Sequence, residues 1–144
     1  MYYFAYGSNM NHGQMKTRCP GSKFLKRAYI EGYKFVYDGY SSFRQGAVAN
    51  IIKDEGCIVW GALFEIDEKC LEKLDIYEGY PTCYQREVFS VKDDEGKEYK
   101  ALVYLRNPKP VGKPSSDYKN ITIEGAKQCG LPDDYIKQFI AQEE

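Results

Sequence analysis

Apolar residues along the first two thirds of the chain fall in short runs broken by turn residues, a pattern of strands more than of long helices. Tyr2 to Ala5 run into Tyr6 and stop at Gly7. Ala28 to Tyr37, AYIEGYKFVY, reads as a strand with a bulge at its isolated Gly32. Two apolar runs, Ala47 to Ile52 and Cys57 to Ile66, are separated by KDEG, which predicts a hairpin. Tyr84 to Lys92 and Glu98 to Arg106 predict a second one, turning through Asp93, Asp94, Glu95 and Gly96. Five or six strands are expected.

Helical segments lie between and after these runs. Asn11 to Arg18 is expected to form a short helix closed by Cys19-Pro20-Gly21. In IDEKCLEKLDIYEGYP, Asp67 suits an N-cap, and Gly79 with Pro81 stops the helix. Leu71, Leu74 and Glu78 stand at i, i+3 and i+7, so an acid shares the face of two leucines and points inward. Asn107 to Pro114 carries three prolines and reads as a loop. Ser116 is expected to cap a helix ending at Gly130, and Pro132 to open another with Asp133 and Asp134 in its first turn. Strands first and helices added define a single α+β domain over 1–144. Its two meandering hairpins make a largely antiparallel sheet that can close into a small barrel flanked by helices.

Composition narrows the partners. Lys plus Arg number 20 and Asp plus Glu 21, so the basic footprint of a nucleic-acid binder is missing. Fourteen Tyr and seven Phe fit an aromatic core with tyrosines left over to line a small-molecule site. Cys19, Cys57, Cys70, Cys83 and Cys129 are an odd set without a C-x-x-C pair, which predicts reduced thiols. No stretch approaches the roughly 20 apolar residues of a membrane span, and the amino terminus lacks a basic segment leading into an apolar run. The expectation is a cytoplasmic protein without a membrane partner.

Few residues offer chemistry. His12 is the sole histidine and sits in a polar segment, which leaves little basis for a nucleophile–histidine pair. There is no H-E-x-x-H, P-loop or G-x-G-x-x-G, so neither a metal nor a cofactor is expected. Two features remain. Glu78 is either a buried carboxyl with a raised pKa or a partner for a turn or a lysine. The stretch YGSN, Tyr6 to Asn9, is either a plain tight turn or a set of free backbone N–H groups that takes an anion. Cys83 is a competing nucleophile without a histidine nearby in sequence. Arg86 is open to pairing with Glu78, with a ligand carboxylate or with neither.

Four blocks in order resemble one family. YGSNM after an opening strand, VWGALFEI (Val59 to Ile66), LDIYEGYP (Leu74 to Pro81) with Tyr84 and Arg86 following, and SSDYKNITIEGAKQCGLPDDYI (Ser115 to Ile136) are similar to the γ-glutamylcyclotransferase-like, or AIG2-like, proteins. The resemblance implies a small mixed barrel with helices outside and no cofactor. It implies that Tyr6, Gly7, Ser8 and Asn9 hold a γ-glutamyl group through backbone amides, that Glu78 is the catalytic acid–base, and that Tyr118 lines the pocket. The implied reaction closes a small γ-glutamyl substrate to 5-oxoproline and frees its amine. Tyr80-Pro81 after the E-G pair leaves the identity of that amine open. A non-catalytic binding module and a pathway-specific γ-glutamyl deprotecting enzyme are the alternatives.

Overall fold

In the computed structural model, which describes residues 1–143, the apolar runs build five strands. Glu144, part of the domain range expected above, lies outside the described residues. The strands are β1 (Tyr2–Ala5), β2 (Lys23–Ser41), β3 (Gly46–Glu65), β4 (Gln85–Lys92) and β5 (Glu98–Leu105). They form a closed barrel in the order β1-β3-β2-β4-β5. All neighbours are antiparallel except β1 and β5, which close the barrel in parallel through Tyr2↔Ala101 and Tyr3↔Leu102. This is the mixed, largely antiparallel barrel expected. Its interior is filled by Phe4, Phe35, Tyr37, Leu63, Val59, Val91 and Val103, all buried.

One hairpin is misplaced by the sequence pattern. KDEG does not reverse the chain: β3 runs through it, and Gly32 of β2 faces a bulge between the pairs Tyr33↔Lys53 and Glu31↔Ile58. Gly32 has φ 82°, a left-handed conformation that glycine adopts without a Cβ penalty. A polar tetrapeptide ending in glycine has the same composition whether it turns a chain or bulges from a strand. The reversal itself occurs at 42–45, through Ser42, Phe43, Arg44 and Gln45, where Gln45 takes φ 55°. No glycine or asparagine marks that turn.

Four helices pack outside. α1 (His12–Arg18) is capped by Asn11, whose side chain accepts from the Gln14 N–H. α2 (Glu68–Glu78) links β3 to β4, and α3 (Ser116–Gln128) follows the proline loop. Ser115, not Ser116, caps α3 by accepting from the Tyr118 N–H at 3.2 Å, one residue earlier than the expected cap. α4 (Asp133–Tyr135) opens after Pro132 and continues as one π-helical stretch, Ile136–Ile140, whose last carbonyl accepts from the Tyr37 hydroxyl at 2.8 Å. Among the described residues no helix is long and apolar enough to cross a membrane.

α3 lies directly on the turn that follows β1. A Cβ on Gly125 would stand 2.3 Å from the Asn11 nitrogen and 2.5 Å from the Met10 carbonyl carbon, both backbone. Gly125→Ala is therefore expected to cost about 3 kcal/mol, the upper end of ordinary overpacking, since neither backbone can yield cheaply. Urea unfolding of the variant measures it.

The expectation of five free thiols fails for one pair. Cys19, at the end of α1, and Cys70, in the first turn of α2, form a disulfide with their Cα atoms 5.2 Å apart. Fifty-one positions separate them, so no local spacing announces the bond. Cys57, Cys83 and Cys129 are free.

Candidate active site

Glu78 is fixed by the way α2 ends. Asp67 starts the helix by accepting from the Cys70 N–H at 2.8 Å. Gly79 stops it with φ 67°, and two bonds close the last turn: Gly79 N–H to the Ile76 carbonyl, and Tyr80 N–H to the Asp75 carbonyl at 2.9 Å. One turn before Glu78, Asp75 ties the helix to the barrel. It accepts from the Tyr104 hydroxyl at 2.6 Å and pairs with Arg86. Tyr104 also accepts, through its carbonyl, the Tyr6 hydroxyl at 2.6 Å. A single β5 residue thus connects the helix that ends in Glu78 with the start of the YGSN turn. Tyr104→Phe leaves Asp75 short of a donor and is expected to cost about 1–2 kcal/mol of stability, read from thermal unfolding.

The YGSN stretch leaves β1 and forms a single 3₁₀ turn, Ser8–Met10, closed by Met10 N–H to Gly7 carbonyl and Asn11 N–H to Ser8 carbonyl, each 3.0 Å. The N–H groups of Gly7, Ser8 and Asn9 stand at its open amino end and meet no acceptor among the described residues. The side chains are occupied elsewhere. Asn9 donates to the Tyr3 hydroxyl and accepts from Gln14 and Arg18, and Ser8 accepts from Gln14. What the turn presents is backbone.

Tyr6, Gly7, Ser8, Asn9, Glu78 and Tyr118 all line one cavity of about 850 Å³. Tyr118 accepts the Ala49 N–H at 3.0 Å and retains its own proton to donate. Burial pushes its hydroxyl up to about 12, against the opposing pull of that N–H, so it stays neutral near pH 7. Tyr84 donates to the Ala49 carbonyl at 2.8 Å, which fixes the neighbouring wall.

Among the described residues no protein group hydrogen-bonds to the Glu78 carboxylate. The cleft leaves part of its side chain reachable by water, but the surrounding walls desolvate the carboxyl. Burial raises its pKa from 4.5 to about 7 against the attraction of Arg18, Arg44 and Arg106. Three cations near one acid would ordinarily lower its pKa, so desolvation outweighs them here. Arg106 is largely neutralised by its buried ion pair with Asp38, and Arg44 is held over the Tyr118 ring at 5.1 Å and on Gln14 at 2.9 Å.

Arg18, Arg44 and Arg106 are cavity residues that the sequence does not single out, and Tyr84 stands in the family blocks with no role attached to it. They come from α1, the 42–45 turn and the strand ends, and only closure of the barrel brings them together. Other candidates fall away. His12 packs against Phe24 and Cys129, outside the cavity. Arg86 is committed to Asp75 and lies over Tyr80 at 4.3 Å, so it pairs with neither Glu78 nor the cavity. Cys83 does reach the cavity wall, where its exposed thiol packs on Gly79. The proline loop is laid along the β2–β3 hairpin, with Gly39 N–H bonded to Pro110 and Ala47 N–H to Lys113, and Lys109 reaches the cavity. No group of three His, Cys, Asp or Glu side chains gathers as metal ligands among the described residues.

The chain belongs to the AIG2-like family, whose sequence model matches residues 58–139. The gamma-glutamylcyclotransferases of Homo sapiens and Mus musculus are 32% and 31% identical to it, over 98% of this chain and 78% of each relative. A solved gamma-glutamyl cyclotransferase structure superposes with a TM-score of 0.91 at 30% identity, over 96% of this chain and 85% of that one. YkqA from Bacillus subtilis shares the fold, with a TM-score of 0.83 over 96% of this chain and 52% of its own, at 24% identity.

Proposed function

We propose that this protein is a γ-glutamylcyclotransferase that converts a small γ-glutamyl compound to 5-oxoproline and a free amine. The observation that carries the reading is the joint lining of one cavity by an unpaired, desolvated carboxyl, Glu78, and the free N–H groups of Gly7, Ser8 and Asn9. The turn takes the substrate α-carboxylate through these amides. The α-ammonium then lies toward Glu78, which accepts its proton and frees the amine lone pair. Nitrogen attacks the γ-carbonyl carbon of the same molecule, and the five-membered ring closes through a tetrahedral oxyanion. The Tyr118 hydroxyl supplies a donor for that oxygen. Collapse breaks the bond to the leaving nitrogen, to which Glu78 returns the proton; the ring nitrogen gives up its second proton to the carboxylate so regenerated, which passes it to the freed amine, so that 5-oxoproline keeps one N–H and the amine leaves as its ammonium ion.

Tethering does much of the work. Well-oriented intramolecular attack corresponds to effective molarities of about 10⁵–10⁸ M, so the cavity has mainly to select the rotamer that brings amine and carbonyl together. Glu78 suits both halves of the proton transfer because its pKa of about 7 lies near the operating range. The near-balanced charge of the whole chain, 20 basic against 21 acidic residues, is consistent with a small-molecule partner in place of a nucleic acid.

The test is release of 5-oxoproline from γ-glutamyl amino acids, γ-glutamyl amines and glutathione. Because Glu78 must be ionised to accept the proton, kcat/KM is expected to rise with pH through about 7. A folded protein that releases no 5-oxoproline from any of them refutes the reading, and a flat profile from pH 5 to 8 removes Glu78 as the base.

A further inference from the structure

Four large apolar side chains line the cavity while remaining strongly exposed: Phe43 (82%), Ile76 (79%), Tyr40 (73%) and Tyr77 (53%). Tyr40 and Phe43 come from the tip of the β2–β3 hairpin, and Ile76 and Tyr77 from the last turn of α2. They form a rim at the mouth of the cavity, distinct from the buried wall of Tyr6 and Tyr118 and the half-buried Tyr84. Two of the rings are held in place by cations, Tyr77 under Arg18 at 4.6 Å and Phe43 under Arg44 at 5.3 Å. An apolar surface this exposed, continuous with a ligand cavity, has a cost in water that burial against a ligand would recover.

The direction of the substrate decides what meets this rim. With the α-carboxylate on the YGSN turn and the leaving nitrogen within reach of Glu78, the leaving group projects past the residues next to Glu78 in α2. Those residues are Ile76 and Tyr77. We propose that Tyr40, Phe43, Ile76 and Tyr77 form a subsite for an apolar or aromatic side chain on the leaving amine, so that the protein prefers γ-glutamyl derivatives of bulky hydrophobic amino acids or amines. The inference rests on the cyclotransferase reading and adds to it the class of leaving group. A cavity of about 850 Å³ has room for such a group beside the γ-glutamyl moiety, since cavities of roughly 300–1,000 Å³ accept whole drug-sized ligands.

The experiment compares kcat/KM for γ-glutamyl-phenylalanine, γ-glutamyl-phenethylamine and γ-glutamyl-glycine in wild type and in the double variant Phe43→Ser, Ile76→Ser. Both positions are exposed, and circular dichroism with thermal unfolding verifies the fold. Wild type is expected to favour the aromatic substrates over γ-glutamyl-glycine by about tenfold or more, the discrimination a few buried methylenes provide. In the double variant the ratio is expected to fall to within about twofold, with the loss on the aromatic substrates. Agreement between the phenylalanine and phenethylamine arms assigns the preference to the ring; phenylalanine and glycine derivatives turned over alike, both well ahead of the phenethylamine derivative, assign it to the carboxylate those two share and overturn the proposal. Equal kcat/KM on all three in wild type overturns the subsite and leaves the cyclotransferase reading standing. Release of 5-oxoproline from none overturns that reading and the subsite with it. If selectivity is absent and sedimentation shows a wild-type dimer that the double variant loses, the rim is a contact between two copies of the chain.

Discussion

Glu78→Gln is expected to cut 5-oxoproline release by about 10²–10⁴-fold while binding of a γ-glutamyl ligand stays measurable, because the amide fills the same space and cannot accept the proton. The same substitution should stabilise the fold, in a way that depends on pH. Burial raises the Glu78 pKa in the folded protein to about 7 from an ordinary 4.5. Below about pH 4.5 both folded and unfolded chains hold the proton, and the carboxyl costs nothing. Between 4.5 and 7 the unfolded chain ionises while the folded one does not, so stability falls as pH rises, and above 7 the full cost of a desolvated charge is present. Each unit of raised pKa corresponds to about 1.4 kcal/mol, and partial access to water reduces the total to roughly 2–3 kcal/mol. Glutamine carries no such cost. Its advantage over wild type should therefore grow from pH 4.5 to 7 and then level off, as denaturant unfolding at pH 4.5 and 8 will show. A variant that is inactive but equally stable at both would mean that the acid is not desolvated. Wild-type turnover would dismiss it as the base.

The second large effect belongs to Gly7. Its φ of −117° is not one of the left-handed values that favour glycine. Space is what requires it. A Cβ there would lie 3.1 Å from the Ala49 Cβ and 3.6 Å from the Tyr118 hydroxyl. Valine adds two further methyls beside the N–H groups proposed to take the substrate carboxylate, and crowds the Tyr118 oxygen proposed to donate to the oxyanion. Gly7→Val is expected to lower kcat/KM by about 10²-fold, the scale of a 1 Å misplacement, with most of the loss in ligand affinity. Calorimetric titration separates the two: unchanged affinity would mean that the amides of the turn do not hold the ligand. Gly7→Ala, which needs a shift of only a few tenths of an ångström, should fall between.

Features set by neighbours in sequence were the ones the chain disclosed. Asp67 and Gly79 delimit α2, Asp93 to Gly96 turn a hairpin, and Gly32 marks a bulge, because each acts within a few residues of itself. The errors have the opposite origin. KDEG reads as a reversal and is not one because the direction of the chain after a polar segment is decided by what it pairs with, and the pairing partner is β2. Cys19 and Cys70 meet only because α1 and α2 pack side by side. The cavity divides in the same way. The YGSN turn and Glu78 were each ambiguous alone and became a pair through resemblance to a family, whereas Arg18, Arg44 and Arg106 carry no local mark. Their convergence on Glu78 is a property of the closed barrel.

That closure imposes an order on assembly. β1, which delivers the YGSN turn, is held on one side by β3 and on the other by β5, and β5 lies about a hundred residues further along the chain, Tyr2 pairing with Ala101. Contacts between segments so distant along the chain form late and slowly compared with local ones. The β2–β3 and β4–β5 hairpins can each pair with their neighbours in sequence, whereas the turn, Glu78 and Tyr118 share a cavity only when α3 has been made and docked against Met10 and Asn11. A chain truncated before α3 should retain strand signal and bind no γ-glutamyl ligand, so competence for the ligand is acquired last.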